Sequence, residues 1–439
     1  MASARHALAW RSRAALPLVA GLCLLPATAS ELAVDAPGVH PCAARVDAEL
    51  ELTDTFRLAQ CLQPELSAAA ARVALRVAEL AQAEAAWRPE LSSPAAIGRT
   101  RAGAAQLDTA RAGVEFHWTL LDGGARAARC RAAHAELRSA RDAYAALRQQ
   151  TFGRIATRYL DAVETFAALG ERERSVHRHR CSADAAQRRA QAGFSAQSDS
   201  LQARAALARA QLLLAREQST AHQAETALGQ AIGLPPEQVV RLAPGVARGE
   251  AGEVAPLAEW LALARQREPA IAAARARRQA LKAAIAEAQA CGAPRVELAL
   301  SHQRDATQGI SDATLQLRMP LHDGGRCAQH LAAAQARHAE ARANLRRARQ
   351  DTFGAVAAAH ARAKGAAAEC SAAQDWRAAA RAALRSARRR YAAGLADIGE
   401  LLGAQAELDE AAQAGLRGRA QWRSAELALL AAAGVLGID

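Results

Sequence analysis

The chain has 439 residues, of which 51% are hydrophobic and only 3% aromatic, and much of the hydrophobic share is alanine. An alanine side chain buries little area, so this composition argues against one thick globular core and favours long helices in close contact. The formal net charge is +12, but the arginines are dispersed among Glu, Asp and Gln rather than gathered in one block. That pattern is typical of solvated helix faces and argues against nucleic-acid binding.

The first 29 residues have the pattern of an export signal. A basic start with Arg5, Arg11 and Arg13 precedes an apolar run over residues 14–25, and residues 27–29 (Ala-Thr-Ala) form a small-residue cleavage site. Because the apolar run is too short to span a bilayer, it favours a cleaved signal peptide over a membrane anchor. The sequence therefore predicts an exported protein.

Eight cysteines are scattered along the chain. Neither Cys23 nor Cys42 follows the small residue that a lipoprotein signal requires, so no lipid anchor is predicted. Cys42 and Cys61 are a candidate disulfide pair in an oxidising compartment, and the sequence leaves open whether they pair. His177 and Cys181 have a spacing that can bind a metal, but further ligands are missing, which favours a solvated helix surface instead.

A long segment of the sequence is repeated 201 residues later. The stretch HWTLLDGGARAARC begins at His117, and RMPLHDGGRCAQHL begins at Arg318. The same offset relates further pairs, among them Gly124 with Gly325, Thr151 with Thr352, and Gly193 with Gly394. We interpret this as an internal duplication, with a first repeat over residues 30–233, a Pro- and Gly-rich linker over 234–257, and a second repeat over 258–439.

Two stretches in each repeat are expected to form β-strands, because apolar and polar residues alternate there. The first strand, after Pro89, is inferred from the repeat. No run of 18 apolar residues follows the signal, so a membrane could be crossed only by such strands. We predict that Phe116 and Trp118 face lipid, whereas His117 and Thr119 face a lumen. The predicted lipid-facing set is Val114, Phe116, Trp118, Leu120, Val296, Leu298, Leu300, Leu315 and Leu317.

Past each Asp-Gly-Gly the hydrophobic period becomes that of a helix. Proline is absent there, which predicts uninterrupted helices over residues 125–191 and 326–392, each on the order of 100 Å long. Reversals at Gly193 and Gly394 and two return helices follow. Asp can cap a helix and Gly permits a sharp turn, so strand-to-helix corners are predicted at Asp122, Gly123, Gly124, Asp323, Gly324 and Gly325.

No enzyme motif is found in the sequence. The pair Gly123-Gly124 lacks the glycine spacing and the lysine of a phosphate-binding loop. The sequence therefore predicts no catalytic residue, no cofactor and no metal site.

The expected strands are too few to close a membrane barrel alone, since the smallest barrels need about eight. The segments AWRPEL, VEFHWTLLDGG, QAGFSAQSD, LQLRMPLHDGG and AAGLADIGE occur in order along the chain. On these segments, and over nearly its whole mature length, the chain resembles the outer-membrane efflux protein (TolC-like) family. The resemblance implies a mainly α-helical channel-tunnel that assembles as a homotrimer. Each subunit would give four strands to a twelve-stranded barrel in the outer membrane of a Gram-negative bacterium, and a long helical barrel would extend into the periplasm.

The resemblance also implies roles for the two reversals at the periplasmic tip. The implied adaptor contacts are Gly193, Phe194, Gly394 and Leu395. The implied acidic residues at the entrance are Asp199, Asp397 and Glu400. Asp199 and Glu400 can equally stabilise the starts of the return helices. Gln202 and Gly403 stand where some members of the family have a further acidic residue, so the strength of an acidic ring stays open.

The implied function is that of an exit duct in contact with outer-membrane lipid. The implied partners are a periplasmic adaptor and an inner-membrane transporter of the ABC type. Type I secretion of a protein, such as an RTX-type toxin (haemolysin- or adenylate-cyclase-like) or a protease, is favoured because no lipid anchor is predicted. The alternatives are small-molecule efflux and a soluble periplasmic coiled-coil scaffold.

Overall fold

The computed structural model describes residues 49–102, 105–235, 237–238, 240–242, 252–304 and 308–435, without the side chains of residues 100–109. The predicted signal peptide, Cys42 and part of the predicted linker lie outside these ranges. The described residues belong to one compact unit that spans Gly38–Asp439.

The described part of the chain is mainly helical, with one antiparallel sheet. The helices of the first half are α1 (Leu52–Leu62), α2 (Pro64–Ala85), α3 (Ala125–Gln191) and α4 (Gln197–Ile232). Those of the second half are α5 (Leu257–Arg267), α6 (Pro269–Gln289), α7 (Arg326–Ala392) and α8 (Ile398–Ala432). The strands are β1 (Glu90–Ser92), β2 (Ala95–Ala102), β3 (Ala105–Leu121), β4 (Arg295–Arg304) and β5 (Gly309–Arg318). The two predicted long helices are confirmed.

The two halves repeat one another element by element. Helices α3 and α7 have 67 residues each, and both follow a glycine with positive φ. Pro64 and Pro269 begin α2 and α6, because proline fits the first turn of a helix but breaks the preceding one. Each repeat thus consists of two short helices, a hairpin, a long helix and a return helix.

The hairpins pair into one sheet with the order β1-β3-β4-β5, and β2 also pairs with β3. The strand inferred after Pro89 is therefore present but divided in two. The break falls at Ser93 and Pro94, because proline has no N–H for the ladder. Strand β5 ends at Arg318, two residues before Pro320.

The bulkiest core of the molecule lies at the middle of α3. Phe152, Ile155 and Tyr159 are at most 1% exposed there. The Phe152 ring stacks on Phe56 of α1 with centroids 4.8 Å apart, and Leu228 of α4 closes the cluster. Elsewhere small residues let the axes approach, as in the α7–α8 pair, where a Cβ on Gly418 would lie 3.2 Å from the Cα of Cys370.

The two long helices differ in how much of their surface is covered. Helix α3 packs against α2 and α4 and, across the repeat boundary, against α6 and α8. Helix α7 packs against α5, α6 and α8, and its buried side chains form a narrow stripe. That stripe includes Ala334, Ala341, Leu345, Val356, Ala363 and Leu384. The face of α7 that corresponds to the α6- and α8-covered face of α3 is exposed.

Candidate functional site

Strand pairing collects the apolar side chains of the hairpins on one face of the sheet. Phe116 pairs with Leu300, and Trp118 pairs with Leu298, which in turn pairs with Leu315. Directly paired residues of an antiparallel sheet point to the same side, so these side chains form continuous cross-strand rows. The same face also carries Leu91, Val296, Ala313 and Leu317.

The opposite face of the sheet is polar. Glu115 pairs with Ser301, His117 with Ala299, and Thr119 with Glu297. The carboxylate of Glu115 accepts a hydrogen bond from the Nε2 of Gln303 at 3.1 Å, on the neighbouring strand. The sheet is therefore amphipathic across its four strand positions, which are β1 with β2, then β3, β4 and β5. The alternation in sequence indicates the same two faces.

Two positions in the predicted lipid-facing set depart from this arrangement. The pairing register shifts between Thr119 and Leu121, so Leu121 rather than Leu120 pairs with Val296. An extra residue in one strand of a pair produces such a bulge. Val114 pairs with His302, a polar residue, so the apolar rows end at this level towards the hairpin turns.

At each strand-to-helix corner an aspartate caps the long helix that follows. The Asp122 carboxylate accepts hydrogen bonds from the backbone N–H groups of Gly124 at 3.1 Å and Arg126 at 2.8 Å. Asp323 accepts from Gly325 at 2.9 Å and Cys327 at 2.8 Å. The corner glycines 123, 124, 324 and 325 all have positive φ, which glycine adopts without steric cost.

The first corner is fastened by Arg126, which sequence reasoning missed. Its guanidinium is buried, bonds to the Asp122 carboxylate at 3.1 Å, and reaches the carbonyls of Ala86 and Leu120 at 3.3 Å each. It also lies over the Trp87 ring, 4.5 Å from the centroid. Arg126 thus ties the end of α2 to the start of α3.

The second corner is fastened by a disulfide between Cys291 and Cys327, whose Cα atoms are 5.7 Å apart. This bond was also missed, since the sequence only shows scattered cysteines. Cys61 is disulfide-bonded as well, whereas its predicted partner Cys42 lies outside the described residues.

Among the described residues, Cys291, Asp323 and Cys327 form the one group with the spacing of a metal site. The two sulfurs are bonded to each other, and Asp323 caps α7. We therefore interpret this group as structural, since it connects the end of α6 to the start of α7. His177 and Cys181 lie on α3 with Nε2 and Sγ 3.8 Å apart. Among the described residues, no third ligand lies close enough to that pair to complete a metal site.

The two reversals have the same backbone geometry. Gly193 and Gly394 have φ values of 76° and 72°, and the following residues, Phe194 and Leu395, donate their N–H groups to carbonyls five residues earlier. The side chains of Phe194 and Leu395 are 84% and 72% exposed. The reversals therefore present two apolar side chains to solvent.

The acidic residues at the reversals have different partners. Asp397 is the N-cap of α8 and accepts from the Glu400 N–H at 2.7 Å. The Glu400 carboxylate pairs with Arg390 at 2.8 Å. Asp199 lies in the first turn of α4, where its charge favours the helix start.

A buried polar cluster joins the two repeats, between α3 and α8. Asp409 of α8 accepts hydrogen bonds from Ser175, Arg178 and His179 of α3. Because Asp409 is an acceptor, the Nε2 of His179 carries the proton. Burial alone would raise the pKa of Asp409, but the hydrogen bonds from His179, Ser175 and Arg178 outweigh it and hold this pKa below its ordinary value of 3.8.

The cluster extends to a second buried carboxylate on α3. Glu171 pairs with Arg174 at 2.8 Å, Arg178 at 3.3 Å and Arg377 of α7 at 3.6 Å. The pKa of Arg377 is lowered, first by burial and then by repulsion from neighbouring arginines. Each buried charge of the cluster therefore has a partner of opposite sign.

In the part of the chain that the structure describes, no helix combines the length and the apolar character needed to cross a membrane.

The model of the family described as "Outer membrane efflux protein" matches residues 56–234 and 260–435. The chain therefore belongs to the outer membrane efflux protein family. Protein CyaE of Bordetella pertussis is 38% identical to it over 420 residues, which cover 92% of this chain and 88% of CyaE.

Solved structures show the same fold at lower identity. The outer membrane protein VceC of Vibrio cholerae matches with a TM-score of 0.73 at 21% identity and covers 87% of this chain and 96% of VceC. The CmeC outer membrane channel of Campylobacter jejuni matches with a TM-score of 0.75 at 15% identity, covering 87% and 85% of the two chains.

Family membership decides between an outer-membrane duct and a soluble periplasmic scaffold, the two classes of protein that the sequence left open. The chain is an outer-membrane exit duct with a helical extension into the periplasm, and it is not an enzyme. The soluble periplasmic scaffold is thereby set aside.

Proposed function

We propose that three copies of this chain close into one exit duct, which an adaptor and an ABC-type inner-membrane transporter supply with a protein for type I secretion. One observation carries the proposal: the strands form an amphipathic sheet with two open edges, β1 with β2 at one and β5 at the other. Four strand rows are too few to close a membrane barrel, whereas three copies supply twelve. The apolar rows would then face outer-membrane lipid and the polar face the lumen.

The internal duplication supports the contact between copies. Across the repeat boundary, Ser139 of α3 donates a hydrogen bond to the carbonyl of Ala273 in α6 at 3.1 Å. Glu340 on α7 is equivalent to Ser139 at the offset of 201 residues. Before the hairpins the offset is 205, as between Pro64 and Pro269, so Ala68 on α2 is equivalent to Ala273. Both Glu340 and Ala68 are exposed in the single chain. A second copy that placed its α2 and α4 on α7 would cover this face as α6 and α8 cover α3.

Disulfide trapping tests this contact. The Glu340→Cys, Ala68→Cys variant, with Cys130, Cys181 and Cys370 replaced by serine, is expected to give cross-linked dimers and trimers in isolated outer membranes. The matched control is the Ser139→Cys, Ala273→Cys pair, which should cross-link only within one chain. If the control pair cross-links and the first pair yields only monomers, the proposed subunit contact is wrong.

Two features support secretion of a protein over small-molecule efflux. No lipid anchor is predicted at Cys23 or Cys42. The chain is 38% identical to Protein CyaE, but 21% identical to the outer membrane protein VceC and 15% identical to the CmeC outer membrane channel. Deletion of this chain's gene in its own bacterium should remove a protein from the culture medium and leave resistance to dyes and antibiotics unchanged. Lost resistance with normal protein export would favour efflux instead.

The two reversals are the proposed contact with the adaptor, since Phe194 and Leu395 are apolar and exposed. Replacing both with serine should abolish co-purification of the adaptor after cross-linking, while the protein still reaches the outer membrane. Leu201→Ser on α4 is the matched control, because Leu201 is exposed but lies past the turn. Unchanged adaptor capture by the double variant would refute this placement. Asp199, Asp397 and Glu400 are proposed as the acidic entrance, and nucleic acid is not a proposed partner.

A further inference from the structure

The two strand-to-helix corners of the duplicated fold connect equivalent helix ends, but they do so through different chemical contacts. In the first repeat, Arg126 in the first turn of α3 grips the carbonyl of Ala86, where α2 ends. In the second repeat, Cys327 in the first turn of α7 is bonded to Cys291, where α6 ends. Cys327 lies 201 residues after Arg126, and Cys291 lies 205 residues after Ala86, which are the offsets of the repeat on the two sides of the hairpin. The disulfide therefore occupies the place of the Arg126 contacts.

In the first corner the Arg126 guanidinium connects the end of α2 to the start of α3. Among the described residues, no other side chain connects the ends of α6 and α7 in this way at the second corner. The position equivalent to Trp87, which stacks on Arg126, is Gly292. Asp323 caps α7 through backbone N–H groups alone, whereas Asp122 also binds the Arg126 side chain. Without the disulfide, the hairpin and the packing of α6 on α7 would remain as the connections between these helix ends.

The disulfide also lies next to the junction between the repeats. A Cβ on Gly123, in the first corner, would come within 2.2 Å of the Cβ of Ala293 and 3.8 Å of that of Ala290. The turn over Ala290–Gly292, which contains Cys291, therefore packs directly on the first corner. A shift of this turn would disturb both hairpins at the base of the sheet.

We propose that Cys291 and Cys327 are an oxidative modification site, and that formation of their disulfide after export is required for the hairpins to reach the outer membrane correctly. The reaction partner is a protein that carries a reactive disulfide in the oxidising compartment. One cysteine thiolate attacks that disulfide and forms a mixed disulfide. The second thiolate then displaces the partner's sulfur. The two thiols lose two protons and two electrons, and the partner's disulfide becomes a dithiol.

The bond itself is detected on the full-length protein. Arg295, Arg318 and Arg326 lie between the two cysteines and are sites for trypsin. After complete digestion, the peptides that contain Cys291 and Cys327 should be recovered as one mass without reductant and as two masses with it. Recovery of both peptides as free thiols from the outer-membrane protein would overturn the proposal.

The repeat supplies the matched control for function. The variant Cys291→Ala, Gly292→Trp, Cys327→Arg installs the residues of the first corner in the second, and Gly292 has open space for a side chain. The Cys291→Ser, Cys327→Ser variant has neither the disulfide nor a replacement for it. Its level in the outer membrane should be several-fold lower than that of wild type. The triple variant should restore that level. Equal outer-membrane levels of the serine variant and wild type would overturn the proposal. If the triple variant reaches the outer membrane no better than the serine variant, the Arg126 contacts and the disulfide are not equivalent.

Dependence on oxidation is measured by growing cells with and without dithiothreitol. Because Cys61 is also disulfide-bonded, all chains in this arm carry Cys61→Ser. Reductant should lower the outer-membrane level of the chain with Cys291 and Cys327 several-fold and leave the triple variant unchanged. Equal sensitivity of the two would show that oxidation acts elsewhere and would overturn the proposal. If Cys61→Ser itself prevents folding, the serine and triple variants without reductant still decide the question.

Discussion

The Asp409→Asn variant removes one negative charge from the polar cluster between the repeats. Asp409 accepts hydrogen bonds from three donors, Ser175, Arg178 and His179. The His179 side chain is only 7% exposed. Removing one partner of a buried charged pair costs about 3–5 kcal/mol, since the other is left without compensation. Arg178 keeps its second partner, Glu171, at 3.3 Å, and Asn retains one acceptor oxygen for Ser175. We therefore expect the lower end, about 3 kcal/mol.

The measurement is denaturant unfolding of the detergent-solubilised protein, followed by its helical circular dichroism. Glu410→Gln is the matched control, because it removes the same charge from the next residue of α8, which is exposed. That control is expected to stay within about 0.5 kcal/mol of wild type. If Asp409→Asn and Glu410→Gln behave alike, the cluster does not stabilise the junction.

The stabilising effect of Asp409 should also depend on pH. Its pKa in the folded protein is below the ordinary value of 3.8, so its contribution is fully present above that value and is lost as the pH falls through the folded pKa. The difference between wild type and Asp409→Asn should therefore be constant near neutrality and shrink below about pH 4. A difference that widens in acid would contradict the assigned direction of the pKa shift.

Three further variants test the sheet, the core and the reversals. Phe116→Arg should cost about 2–4 kcal/mol if its face meets lipid, whereas His117→Arg on the polar face should be tolerated, and equal outer-membrane levels would remove the face assignment. Ile155 is 0% exposed, so Ile155→Asp buries an unpaired carboxylate at a cost of about 4 kcal/mol and should abolish assembly in native gels; a stable assembly from this variant would show that this side of α3 faces solvent. Valine at Gly193 and Gly394 is strained at positive φ and should stop export while outer-membrane insertion persists; normal export would show that the turns tolerate distortion.

Features set by local sequence were predictable. The limits of α3 and α7 followed from the absence of proline and from the capping pattern Asp-Gly-Gly, because a helix continues until a residue stops it. The amphipathic sheet followed from alternation in the later strands, whereas the first strand, which Pro94 divides, followed from the repeat.

Features that depend on distant residues were not predictable from the same patterns. Cys291 and Cys327 are 36 residues apart, and they meet only because a hairpin between them returns the chain to its starting level. Asp409 and His179 are 230 residues apart, and they meet because α8 of one repeat packs on α3 of the other. Neither pair has a signature in its own neighbourhood of the sequence.

The charged cluster makes the two halves of the molecule inequivalent in one respect. One repeat along, Arg178 is replaced by Ala379, and the position equivalent to Asp409 is Ala208; both alanines are exposed in the single chain. In the proposed trimer, charged junctions within chains would therefore alternate with alanine-lined junctions between chains, where Trp376 takes the place of Ser175. Because Asp409 is paired within its own chain, a neighbouring copy would not contact the charged cluster. Acid would then act on the folding of each chain at this level, but not on closure of the ring.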